Sequence, residues 1–163
     1  MRELNVVGVR VELPANQPIL LLNETEGDRY LPIWIGSVEA TAIAYEQQGI
    51  KPPRPMTHDL MVNIIAALGS SLERVRITGT KDGLYFAELD FPNIEPISAR
   101  PSDAIALALR VGAPIFATDE LVDEVGITIE EATTPDTGVG ADDEVEKFRE
   151  FLDSVSPDDF AGS

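Results

Sequence analysis

The sequence predicts an α+β fold: a mixed, largely antiparallel sheet packed with helices, in a single compact domain followed by an acidic C-terminal tail. Three strand-like stretches run in succession before the first helical one, and a hairpin separates the second helical stretch from the third. This order argues against strict alternation of strands and helices, and so against a doubly wound sheet. The 163 residues and 44% hydrophobic share suit one domain with a real core plus a short appendage.

Val7, Val9, Val11 and Leu13 alternate with Arg10 and Glu12, which predicts a first strand with one apolar face. Pro14 to Gln17 reads as a turn. Ile19 to Leu22 is continuously apolar and predicts a strand buried on both faces. After the polar loop Asn23 to Asp28, Tyr30 to Ile35 forms a third strand with Trp34 inside it. Gly36 ends that strand, Ser37 is suited to capping a helix, and Ala40, Ile43 and Ala44 follow at helical spacing up to Gly49. Three prolines between Ile50 and Pro55 exclude regular structure there. Thr57 opens a second helix with Leu60, Ile64, Ile65 and Leu68 on one side and Gly69 at its end.

Val75 to Gly79 and Leu84 to Phe91 flank Asp82-Gly83, a dipeptide that fits a tight hairpin turn. A short strand within Ile94 to Ala99 follows, and Ser102 opens a third helix. Ala104, Ile105, Leu107, Ala108, Leu109 and Val111 make that helix apolar nearly all round, the pattern of a central helix. Beyond Gly112, Ala113 to Phe116 predicts another short strand and Asp119 to Val125 a short helix. The domain is expected to span residues 1–132. Residues 133–163 are read as a linker and an acidic helix carrying Val145, Phe148, Leu152 and Val155 on one face, with a disordered end.

The formal charge is −17, and residues 119–163 hold 15 acidic and 2 basic side chains. That balance opposes non-specific attraction to nucleic acid, whose affinity comes largely from Lys and Arg at phosphates, so such a partner needs a local site. The tail either aids solubility or recruits a protein partner. With no cysteine, a disulfide framework and a thiolate metal site are both excluded. The first residues lack the blocks of a signal peptide and no apolar run is long enough to span a bilayer, so a cytoplasmic protein without membrane contact is expected.

One phrase occurs twice: Arg54-Pro55-Met56-Thr57-His58-Asp59-Leu60 and Arg100-Pro101-Ser102-Asp103-Ala104. Each copy supplies an Arg, a φ-fixing proline, a hydroxyl and an acid in the first helical turn. His58 is the sole histidine, the residue type whose unperturbed pKa lies near neutrality, and suits a base, an acid, a metal ligand or a plain structural role. Arg54 and Arg100, with the Thr57 and Ser102 hydroxyls beside them, can hold a phosphate, or each Arg can pair with an internal acid such as Asp103, Asp59 or Glu39. Glu39, Asp59 and Asp103 offer the hard oxygen ligands of a magnesium or manganese site if they converge, and otherwise complement helix starts. Trp34, Tyr85 and Phe86 could stack on bases, but their apolar strand neighbours point to core packing. Walker, dinucleotide and zinc-protease signatures are absent.

Leu31-Pro32-Ile33-Trp34-Ile35-Gly36 with Glu39-Ala40, then the first Arg-Pro phrase, then Ala99 to Ala108, resembles the bifunctional nuclease domain family over roughly residues 3–130. The resemblance implies an α+β domain that assembles as a homodimer or higher oligomer, and a nuclease acting on both DNA and RNA. On that reading His58, Asp59 and Glu39 are the catalytic candidates, with Arg54, Arg100, Thr57 and Ser102 on the substrate. Glu39, Asp59 and Asp103 would hold a divalent metal. The alternatives are a non-enzymatic regulatory or assembly domain, in which the Arg-Pro phrases act as clasps, and a binder of a small anion at the same helix starts.

Overall fold

Eight strands and four helices build residues 1–128, the part of the chain that the computed structural model describes. The strands are β1 (Arg2–Glu12), β2 (Gln17–Glu24), β3 (Arg29–Trp34), β4 (Arg74–Lys81), β5 (Leu84–Asp90), β6 (Ile97–Ala99), β7 (Ile115–Ala117) and β8 (Ile127–Thr128). The helices are α1 (Ser37–Gln47), α2 (Thr57–Ala67), α3 (Pro101–Val111) and α4 (Asp119–Val125). The expected linker, the acidic helix and the boundary at residue 133 lie outside the described residues.

All eight strands join one sheet in the order β6-β5-β4-β7-β1-β2-β3-β8. Neighbours pair antiparallel except β4 with β7, which are parallel, so the expected mixed and largely antiparallel sheet is borne out. The β4–β5 hairpin turns at Asp82 and Gly83, both at positive φ, as its turn type requires. α3 packs over β4 and β5, α1 over β1 and β2, and the two helices pack on each other. Ala104 to Ala108 of α3 are fully buried, which makes α3 the central helix its apolar pattern predicts. Leu20 and Leu22 of β2 and Ile77 of β4 are also sealed in the core. Each such burial stabilises the fold by about 1.5–3 kcal/mol relative to exposure.

Four expectations need correction. A register shift between Val6 and Gly8 breaks the alternation of β1, so Leu4 and Val9 face the core while Val7 is exposed. Ile19 and Leu21 are only half-buried, because the second face of β2 lacks a full cover. Trp34 is half exposed: Leu31, Ile33 and Ile35 claim the inward positions of a period-two strand and turn the indole outward. Phe86 is exposed too, whereas Tyr85 does lean on the core.

The fourth concerns α2. It packs through His58, Val62 and Ile65, one helical stripe, and leaves Leu60, Met61, Ile64 and Leu68 open to solvent. The apolar side expected from Leu60, Ile64 and Leu68 is therefore its outer face.

Candidate functional site

The three helices α1, α2 and α3 each carry an acid at the third helical position: Glu39, Asp59 and Asp103. The hydroxyl residues are not the N-caps that the sequence suggests. Gly36, Met56 and Arg100 occupy those positions, and Ser37, Thr57 and Ser102 fall inside the first turn. At α2 the capping is done by the acid, because Asp59 Oδ2 accepts the Met56 N–H at 2.9 Å. A carboxylate there also meets the positive end of the helix.

The starts of α2 and α3 face each other. His58 Nε2 lies 2.9 Å from Asp103 Oδ1, and the imidazole is buried. Arg100 Nε donates to Asp103 Oδ2 at 2.7 Å, and its NH2 donates to Glu39 Oε1, also at 2.7 Å. One guanidinium thus joins the acid of α1 to the acid of α3, with His58 behind. The Arg100 side chain is 67% exposed while Glu39 is 15% exposed, so the cation stands at the solvent mouth of the cluster. Gly36 leaves room for the other Glu39 oxygen: a Cβ there would meet Oε2 at 2.3 Å.

Burial raises the Asp103 carboxyl, but hydrogen bonds from Arg100 and His58 outweigh it and hold the group below the usual carboxylate range. Asp103, and then Glu39, raise the Arg100 guanidinium in return.

The two Arg-Pro phrases part company at their arginines. Arg54 is exposed and has no hydrogen-bond or ion-pair partner among the described residues. Asp59 is held instead by Arg110, near the end of α3, whose Nε donates to Asp59 Oδ1 at 2.7 Å. Arg110 also donates to the carbonyls of Ala106 at 2.8 Å and Ala42 at 3.1 Å, and so ties α2 to α3 and α1. The hydrogen bond from Arg110, then the Met56 N–H, keeps Asp59 below the usual carboxylate range. Sequence reasoning passed over Arg110, although a lone cation in an otherwise apolar helix is a signal of a buried partner.

His58, Asp103, Arg100 and Glu39 therefore converge, and Asp59 belongs to a neighbouring clasp. Thr57 is exposed at the start of α2 and Ser102 is buried at the start of α3. The three expected metal ligands do not all meet: Glu39 and Asp103 share Arg100 while Asp59 is held by Arg110 and Met56, and both Asp103 oxygens are engaged by His58 and Arg100. Among the described residues no group of three or more histidines and acids is arranged to hold a metal ion, so the acids as folded do not fit a resident divalent cation. None of the described helices is long and apolar enough to cross a membrane.

A family model described as the bifunctional nuclease domain matches residues 20–130. An uncharacterized protein of Mycobacterium tuberculosis, present in two strains, is 58% identical over 165 residues, covering 98% of each chain. A rice protein named bifunctional nuclease 1 (Oryza sativa) is 27% identical over 130 residues, covering 76% of this chain and 39% of its own.

Proposed function

The chain belongs to the bifunctional nuclease domain family, and from that premise we propose that it is a nuclease hydrolysing phosphodiester bonds of DNA and RNA with weak sequence preference. The observation that carries the proposal is the exposed Arg100 guanidinium between Glu39 and Asp103. Arginine offers five donors, and here Nε and NH2 are the bonded nitrogens, which leaves NH1 to meet a phosphate oxygen. A phosphate at Arg100 competes with Glu39 for that cation. Glu39, so released, is placed to take a proton from the water that bonds to phosphorus, while the bond from phosphorus to the leaving oxygen breaks and that oxygen takes a proton from solvent water. Asp103, steadied by His58, holds Arg100 from behind.

With Asp59 committed to Arg110, the chain's own Arg100 and Glu39 carry these steps. Magnesium and manganese enter as assay variables, as ions that arrive with the nucleic acid. A cytoplasmic site of action is part of this proposal.

The test is cleavage of labelled DNA and RNA by highly purified protein beside Arg100→Ala. Removing a donor aimed at developing charge predicts a loss of about 100-fold or more. Equal rates in both preparations would overturn the assignment.

A second reading has its own support: in the cluster as folded, every oxygen of Asp59 and Asp103 already has a partner, as in a structural clasp between helices. That reading predicts no cleavage and a loss of folding in Arg100→Ala.

We propose that the expected homodimer forms through the outer face of α2. Residues 60–68 contain no charged side chain, in a chain of charge −17, so two copies can meet there without like-charge repulsion. Leu60, Ile64 and Leu68 recur every four residues, so an antiparallel copy centred on Ile64 sets each Leu60 against the partner's Leu68. A protein partner for the acidic tail falls outside the described residues.

A further inference from the structure

We infer that Trp34 is a base-stacking platform at the edge of this site, and that the nucleic acid it serves is single-stranded; the inference rests on the nuclease reading above. The indole is 50% exposed on a strand whose other large apolar residues are buried, so packing does not account for it. Its edge is fixed: Nε1 donates to Glu12 Oε2 at 3.2 Å. A ring held by its edge presents its face without a further loss of rotamer freedom, which favours stacking.

The neighbours suit a nucleotide. Gly36 follows Trp34 by two residues, at most about 7 Å along the chain. The Glu39 carboxylate lies over Gly36 and binds Arg100. Trp34 therefore precedes, by five residues across the β3–α1 connection, the acid that binds the guanidinium proposed to hold the phosphate. On the sheet side, Trp34 pairs with Ile19 and Ile19 with Arg10, which sets Arg10 two strands away on the same face, about 10 Å from Trp34. Among the described residues the Arg10 guanidinium bonds only the carbonyl of Val9, next to it in sequence. It keeps donors for a second phosphate. Stacking on the indole is sequence-tolerant, because every base has a π face, and requires a base free of its own stack. It also gives a chain of strongly negative charge a local way to hold nucleic acid that does not need a basic surface.

Trp34 is the single tryptophan of the chain, so its fluorescence reports on this position alone. The full-length protein in chelator is titrated with labelled oligothymidylate, with the matching duplex, and with an abasic strand of equal length. Oligonucleotide anisotropy and tryptophan emission are followed together. Quenching that tracks anisotropy for the single strand, and fails for the duplex and the abasic strand, is the expected result. Trp34→Ala should weaken single-strand binding about 5- to 150-fold, the equivalent of 1–3 kcal/mol per stacked base, and Trp34→Phe should restore part of it. Binding without quenching, or equal quenching by the duplex, overturns the stacking platform and leaves the nuclease reading intact. An absence of binding together with an absence of cleavage overturns both.

Discussion

Replacing Arg110 with Met removes the cation that ties Asp59 to α1 and α3 while keeping an apolar stem of similar length. The Arg110 side chain is 5% exposed and Asp59 25% exposed. Stripping one partner from a fully buried ion pair costs about 3–5 kcal/mol. Water reaches Asp59 and replaces part of the lost bonding, so a cost of about 2–3 kcal/mol is expected, in the range of hydrogen bonds to charged groups. For a chain of this size that lowers Tm by roughly 5–10 °C. Thermal melts at pH 7 measure the shift in Tm and urea melts the loss of stability, with an unchanged m value confirming that only stability has moved. The pH dependence supplies a second reading. Arg110, then the Met56 N–H, depresses the folded-state carboxyl of Asp59. Its contribution is therefore present above the unfolded pKa of about 3.9 and is lost as pH falls through the folded value. The gap between parent and variant should narrow as pH drops below about 4. A variant within about 1 °C of the parent at pH 7, or a gap indifferent to acid, would refute the clasp.

Two other substitutions separate the site from the scaffold. Gly36→Ala places a methyl group on the Glu39 carboxylate, the far end of a flexible side chain. Thermal melts should move by less than the equivalent of about 1 kcal/mol, while cleavage falls about 100-fold because Glu39 leaves its position beside Arg100. Ile64→Glu sets a charge at the centre of the outer α2 face. Sedimentation should show monomers in place of dimers with the melting of the fold preserved, since Ile64 is about half exposed in the single chain.

Local signals made much of the fold legible. The Asp82-Gly83 dipeptide set the hairpin, and the unbroken apolar surface of α3 identified the central helix. What failed depended on neighbours that sequence periodicity does not describe. The β1 bulge moves Val7 out of the core, and α2 buries the stripe through His58, Val62 and Ile65 while its more apolar side stays outside. At Trp34 a run of apolar residues hides the period-two pattern that turns the indole outward. In the site, the repeated Arg-Pro phrase pointed correctly to helix starts bearing acids, and Arg100 meets two of the three acids named as its partners. The pairing of Asp59 with Arg110 spans 51 residues and depends on the packing of α2 against α3. No motif spacing encodes that contact. Only the lone cation near the end of a largely apolar helix points to it.

The most direct test of the central claim is single-turnover cleavage of end-labelled single-stranded DNA and RNA by the parent and by Glu39→Gln, purified in the same way and assayed with magnesium, manganese or chelator. The Gln variant keeps the shape of the side chain and a carbonyl acceptor for Arg100 but loses the base. The account predicts an unchanged melting temperature with cleavage of both substrates reduced about 100-fold or more. Equal cleavage by the two proteins, or none by either, would contradict it.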